Sequence, residues 1–429
     1  MNRPLRLSLK LTIVLVLVLT VSAYAPAYAA PPAIVVNSLE DELNYDGKCN
    51  LREAIRSANN VSQPWPGCTQ GQVGGNSITF SVSGDIKLTD TLPTITRNLE
   101  IKAYGQDVRI SGQKQFRVMT VSTSITLAIG NLTISDGFTT GDGGGIFVSA
   151  GTLKVADSTF FNNVAEGDGG AIHTVGGQFW ITDSTFYDNT ADGQGGGISV
   201  GPSPFVTSKI EDSTFSDNHA HDDGGGMAIL SGVIRMTNNT LAGNTAADLG
   251  GGIYNLGVLK SANNTFSNNR ASDRGGGIWN LDALTIKSST FSGNYAGNSG
   301  GGIYNHGNGV LRLMNTILAN SPSGYDCFNS FGTIAVDIHN LIESSPTSNS
   351  CGSPMLTADP MLGPLADNGG PTMTHAIQPG SLALDAGHNG RCASNLVSNK
   401  DQRGEVRPID GDGDQVATCD IGAFEYQGP

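Results

Sequence analysis

Charge is what this 429-residue chain has least of. Asp, Glu, Lys and Arg make up 14% of it, against about 25% in ordinary globular proteins. With 38% of residues hydrophobic, it is not an intrinsically disordered chain, which needs much charge and few apolar groups. No apolar run approaches the roughly 20 residues of a membrane-spanning helix. No two cysteines are spaced Cys-x2-4-Cys, which removes the usual structural zinc arrangements. Bases are outnumbered by acids, 24 to 38, so nucleic acid, whose phosphates need a basic footprint, is not an expected partner. In excess are 58 glycines, about twice the usual share of roughly 7%, without the Gly-X-Y period of collagen.

Residues 1–29 read as a signal peptide. Arg3, Arg6 and Lys10 precede an apolar stretch from Leu11 to Val21, and Ala27-Tyr28-Ala29 offers small residues for cleavage. Losing those three bases takes the net charge from −14 to −17. The expected location is exported, extracellular or on the cell surface, with no transmembrane span in the mature chain. Six cysteines in such a chain suggest disulfides; six allow fifteen connectivities, and sequence proximity favours Cys49–Cys68, Cys327–Cys351 and Cys392–Cys419.

The middle of the chain is a repeat. Thr133, Thr159, Thr185, Thr214, Thr240, Thr265, Thr290 and Thr316 recur at spacings of 26, 26, 29, 26, 25, 25 and 26. A glycine run followed by an aliphatic residue keeps step at Ile146, Ile172, Ile198, Met227, Ile253, Ile278 and Ile303, with the same three-residue insertion in the same unit. The units hold short alternating segments such as Leu153-Lys154-Val155 and no ten-residue helix. A period of 25 to 26 is too short for a propeller blade and fits one coil of a parallel β-helix with about three strands. Coils stack about 4.8 Å apart, which predicts interior columns. One holds Phe160, Phe186, Phe215, Leu241, Phe266, Phe291 and Ile317, another the aliphatics after glycine, and a corner ladder runs from Asn163 through Asn294 to Asn320. Leu51, Ala54, Ile55 and Ala58 make one apolar helical face, so 49–59 is expected to cap the first coil. The domain reading is 30–122 for the cap and first coils, 123–342 for the repeat coils and 343–429 for a disulfide-bonded C-terminal region.

Cys49-Asn50-Leu51-Arg52-Glu53-Ala54 resembles the Cys-Ser-Leu-Arg-Glu-Ala motif that opens many exported bacterial β-helix proteins, with Asn50 where Ser or Thr is usual. The Gly-Gly-Gly-Ile and Phe-x-x-Asn units resemble the polymorphic outer-membrane protein repeats of surface adhesins. The tail, through Asp401-Gln402-Arg403-Gly404 and Cys419-Asp420-Ile421-Gly422-Ala423-Phe424-Glu425, is similar to the end of choice-of-anchor β-helix proteins. The resemblance implies a right-handed parallel β-helix, all-β, of about ten coils, exported and surface-associated. It implies no established activity.

Catalytic signatures are thin. Gly197-Ile198-Ser199-Val200-Gly201 matches a nucleophile elbow, but that motif needs a strand-to-helix turn, and here it is one unit's glycine–aliphatic phrase. The densest titratable cluster is His219, His221, Asp222 and Asp223. Acids recur loosely in that turn, at Asp142, Asp168, Asp192, Asp248 and Asp273, as turn formers would. Alternation places Tyr254, Trp279 and Tyr304 in an outward line suited to sugar rings, and Lys154, Trp180, Lys209, Arg235, Lys260 and Thr285 in a second outward column. Stacked like charges call either for neighbouring acids or for an acidic ligand. Asp410-Gly411-Asp412-Gly413-Asp414 and then Asp420 resemble the start of a calcium loop, although Gln415 stands where that loop needs Gly. The sequence therefore points to a non-catalytic surface protein binding polysaccharide or cell-surface glycans, with calcium as its one candidate cofactor. The alternatives are a polysaccharide lyase or glycoside hydrolase, or a structural envelope protein.

Overall fold

A computed structural model describes residues 33–69, 75–202 and 207–428. The signal-peptide reading of 1–29 lies outside them. The chain is a parallel β-helix. One coil runs through strands Thr152–Ala156, Thr159–Phe161, Val164–Ala165 and Ile172–Val175 before Gln178–Thr182 starts the next. Stacking builds sheets of 12, 11, 7 and 9 strands, called sheets 1 to 4 in the order the coil visits them. Four strands per coil replace the expected three: Val164–Ala165 and its equivalents are two residues long, too short to show alternation. Among the described residues, no helix is long and apolar enough to cross a membrane.

Register is kept coil to coil. Phe160, Phe186 and Phe215 are in register, their rings 4.7 and 4.8 Å apart and nearly parallel, and fully buried. Each ladder amide, as at Asn189, donates from Nδ2 to Asn218 Oδ1 at 2.9 Å and to Phe160 O at 3.0 Å. The chain of amides runs from Asn163 to Asn294. The left-handed residue at that corner is the one before each amide, for example Asn162 and Asp188. The first glycine of each run is also left-handed, φ +70° at Gly143 and +66° at Gly250, a conformation that costs glycine least.

The last repeat departs from expectation. Ile317 pairs with Thr290, and Leu318 takes the place below Phe291. Ile303 to Val310 holds two more residues than Ile278 to Ala283, which it stacks on, and the surplus is absorbed at Gly307-Asn308-Gly309. Asn320 therefore leaves the amide ladder and donates its N–H to Glu343. A second buried ladder, Asn255, Asn280, Asn305 and Asn329, went unread although its first three members are spaced by 25.

At the start, helix Leu51–Asn59 lies over the first coil with Asn50 as its N-cap: Asn50 Oδ1 accepts from Glu53 N, and Glu53 returns a carboxylate to Asn50 N. Buried Arg52 grips Asp41 with two bonds and reaches Thr91 O and Asp90 O, which ties cap to coil. All three favoured disulfides are present. The C-terminal region, with hairpin Leu362–Ala366 and Thr374–Ile377, packs along the outer face of sheet 2. Thr240, Thr265 and Thr290 are buried there against Met373, Gln402 and Ala423.

Candidate functional site

The outward face of sheet 1 gathers the basic column. Register carries Lys154 to Trp180, Lys209, Arg235, Lys260 and Thr285, then to Arg312. Arg312 was missed because the two-residue surplus disguises its spacing. Lys287 stands in the adjoining outward column. The outward positions of the seven strands from Thr152–Ala156 to Val310–Met314 thus hold Lys154, Lys209, Arg235, Lys260, Lys287 and Arg312 against the single carboxylate Glu211. Glu211 pairs with Lys209 at 2.6 Å, and the Lys154 ammonium sits 4.7 Å from the Trp180 ring centre. Among the described residues, Arg235, Lys260, Lys287 and Arg312 form no ion pair. The bordering acids Asp183 and Asp212 have raised pKa values, first from burial and then, among other causes, from mutual repulsion with nearby acids. The face is therefore only partly compensated by its neighbours.

Where this face meets the C-terminal region there is a pocket of about 320 Å³ lined by the bases Lys209, Arg235 and Lys400, the acids Glu211 and Asp401, and polar groups such as Asn263 and Ser398. Beside it, Lys287 donates to Ser394 Oγ at 3.0 Å. Its pKa is depressed by burial first and by Arg391 second. The pocket could not be read from sequence, because Lys400 reaches sheet 1 only through docking of the tail.

The aromatic column is in register but is not an open platform. Tyr254 stacks on Trp279 at 4.8 Å, and Tyr304 on Phe328 at 5.5 Å. His306 and Arg274 close the sides. Trp279 is 6% and Tyr304 4% exposed. Alternation aims these side chains away from the core, but at a strand spacing of about 4.8 Å wide rings cover one another's faces.

The acidic turn between sheets 3 and 4 is ordered. Asp142, Asp168 and Asp223 occupy equivalent positions, and one oxygen of each accepts the backbone N–H of the following coil's equivalent residue. Asp222, Asp223 and Asp248 bring carboxylate oxygens within 4.8 Å of one another. Burial first, then Asp222, pushes Asp223 up to about 7. The sequence cluster itself divides: His219 bonds Thr245 at 2.6 Å and His221 bonds Asp192 at 2.7 Å. Ser199 is fully buried on strand Ile198–Val200, so it is not an exposed nucleophile.

Of the calcium-loop acids, Asp410 and Asp412 converge with Asp385, which sequence spacing does not show. Asp414 caps its own turn at Val416 N. Asp420 is buried and accepts from Asp385 N and Tyr426 N, so it touches that group through the Asp385 backbone while its carboxylate is not one of the three that converge.

The family profile described as right handed beta helix region matches residues 170–340, in agreement with the stacked parallel coils. The profile of the Chlamydia polymorphic membrane protein repeat matches residues 157–175. No curated protein matches the chain.

Proposed function

We propose that this is an exported, non-catalytic β-helix protein that binds an acidic polysaccharide on the outward face of sheet 1. One observation carries the reading: six bases and one acid on contiguous outward positions of a chain whose net charge is −14. A strip with a base on six of its seven strands, interrupted at Trp180, and with strands about 4.8 Å apart, meets the repeated carboxylates or sulfates of an extended glycan. The pocket at Arg235 and Lys400 would hold one charged sugar unit. The right-handed β-helix, the repeat shared with polymorphic membrane proteins and the three disulfides support an oxidising, extracytoplasmic setting.

The test is a glycan array probed with the mature chain at two salt concentrations, with Arg235→Ala/Lys260→Ala as the comparison. Binding to uronate-rich or sulfated glycans that weakens with salt and falls at least about tenfold in the double variant supports the reading. Equal binding by the variant, or binding only to neutral glycans, overturns it.

A second reading has its own observation. Asp222, Asp223 and Asp248 converge near Arg274, and a carboxyl that holds its proton near neutral pH suits a general acid. Release of reducing ends or unsaturated uronides from polysaccharides, abolished by Asp223→Asn, would make the protein an enzyme.

A further inference from the structure

We propose that Asp142, Asp168 and His173 form a site for a zinc-type divalent transition-metal ion. The carboxylates are set in place by the coil itself. Asp142 Oδ1 accepts from Asp168 N at 2.9 Å, and Asp168 Oδ1 accepts from Gln194 N at 2.8 Å. Each keeps its second oxygen free, and both side chains are part-exposed, so the site opens to solvent. In the next coil the equivalent position is Gln194, which ends the run of charge. Two adjacent acids alone would be an ordinary turn.

His173 makes the difference. Its side chain stands in the column of Phe147 and Ser199, is 4% exposed and stacks on Phe147 at 5.8 Å. Packing there needs only a ring, as Phe147 shows, and yet the residue is an imidazole: Nδ1 is buried without a hydrogen-bond partner, and Nε2, the nitrogen that faces Asp142, makes no hydrogen bond among the described residues. A buried imidazole without a single hydrogen bond is rare. Nε2 points to Asp142 Oδ2 at 4.0 Å, too far for a hydrogen bond. The ligand atoms of all three residues lie within 4.8 Å of one another. Two donors on one tetrahedral zinc ion, each about 2.0–2.2 Å from it, lie roughly 3.3–3.6 Å apart, so binding draws the three ligand atoms inward from separations of up to 4.8 Å. One imidazole nitrogen with two carboxylates favours zinc, cobalt or manganese over calcium, which takes oxygen ligands. Arg117 spends Nε and Nη2 on Gly143 O, Thr139 Oγ1 and Asp142 O, and its guanidinium lies 5.2 Å from the Phe147 ring centre. It braces the turn and lowers the local negative charge without occupying the free oxygens.

The experiment is calorimetric titration of the mature chain with zinc chloride, and separately with calcium chloride, alongside absorption spectra with cobalt chloride. The variants are His173→Phe, which keeps the stacked ring, and Asp142→Asn, which keeps the acceptor for Asp168 N; circular dichroism checks that both fold. The expected result is one zinc ion per chain, affinity lower by ~tenfold or more in each variant, and cobalt bands only in the wild type. Zinc binding unchanged in both folded variants, no zinc binding by the wild type, or a calcium preference indifferent to His173→Phe would each overturn the assignment.

Discussion

The Thr265 hydroxyl donates to the Gln402 side-chain oxygen at 2.7 Å, joining points 137 residues apart in the chain. The Gln402 Nε2, with two hydrogens to give, lies within 3.2 Å of Asn239 O, Thr240 Oγ1, Thr372 Oγ1 and Met373 O. Gln402 is fully buried, so one side chain satisfies both the repeat threonines and the hairpin laid over them.

Gln402→Ala is expected to loosen the C-terminal region while the coils stay folded. Several buried partners lose their bonds at about 1–3 kcal/mol each. Limited proteolysis should then cut within residues 360–428 before the coils, and cleavage at the wild-type rate would contradict this.

Asn244→Ala breaks the amide ladder at its middle. It removes the acceptor of the Asn218 backbone N–H, one of the two acceptors of Asn218 Nδ2, and the side-chain donor to Phe215 O. A loss of roughly 2–4 kcal/mol is expected, read as a lower urea midpoint. Asn320→Ala, outside the ladder, should cost less, since it loses only the bond to Ser292 and the ease with which asparagine adopts φ +60°.

Gly250→Ala places a side chain on a residue at φ +66°, directly against Ile253 O. Strain and contact together should cost more than about 1 kcal/mol. Gly380→Ala, also left-handed at φ +88° but with open space around it, separates the two effects: it should cost only the backbone share.

Asp223 gives stability a pH dependence of known sign. Its carboxyl is raised from 3.8 to about 7 in the folded chain, so between those values the native state holds a proton that the unfolded state has lost. Stability from this group is greatest below 3.8 and falls as pH rises to about 7, by at most about 1.4 kcal/mol per pH unit. Asp223→Asn should therefore raise the melting temperature at pH 8 and leave it nearly unchanged at pH 4. A gain of equal size at both pH values would refute the assignment.

The coils were legible because a solenoid writes its contacts at one interval: threonine, aliphatic and asparagine positions repeat at 25 or 26, and stacked neighbours share that spacing. Legibility stopped where spacing stops being the contact rule. The slip at Ile317 follows from two residues in the Gly307–Gly309 loop. The basic face was readable except for Lys287 in the adjoining column, Arg312 beyond that loop and Lys400 on the tail. The burial of Trp279 and Tyr304 was not, since alternation reports direction and says nothing about what else arrives there.

Each base of the sheet 1 column belongs to a different repeat, and each repeat keeps its own share of the core. The strip therefore has a length set by copy number. Duplicating one 25-residue unit, such as that from Val258 to Asp282, would add one more strand and one more cation, lengthening the strip by about 4.8 Å while the interior columns simply gain a member. The length of the strip and its charge are thus separately heritable: the first changes by unequal crossing-over between repeats, the second by point substitution at a single outward position.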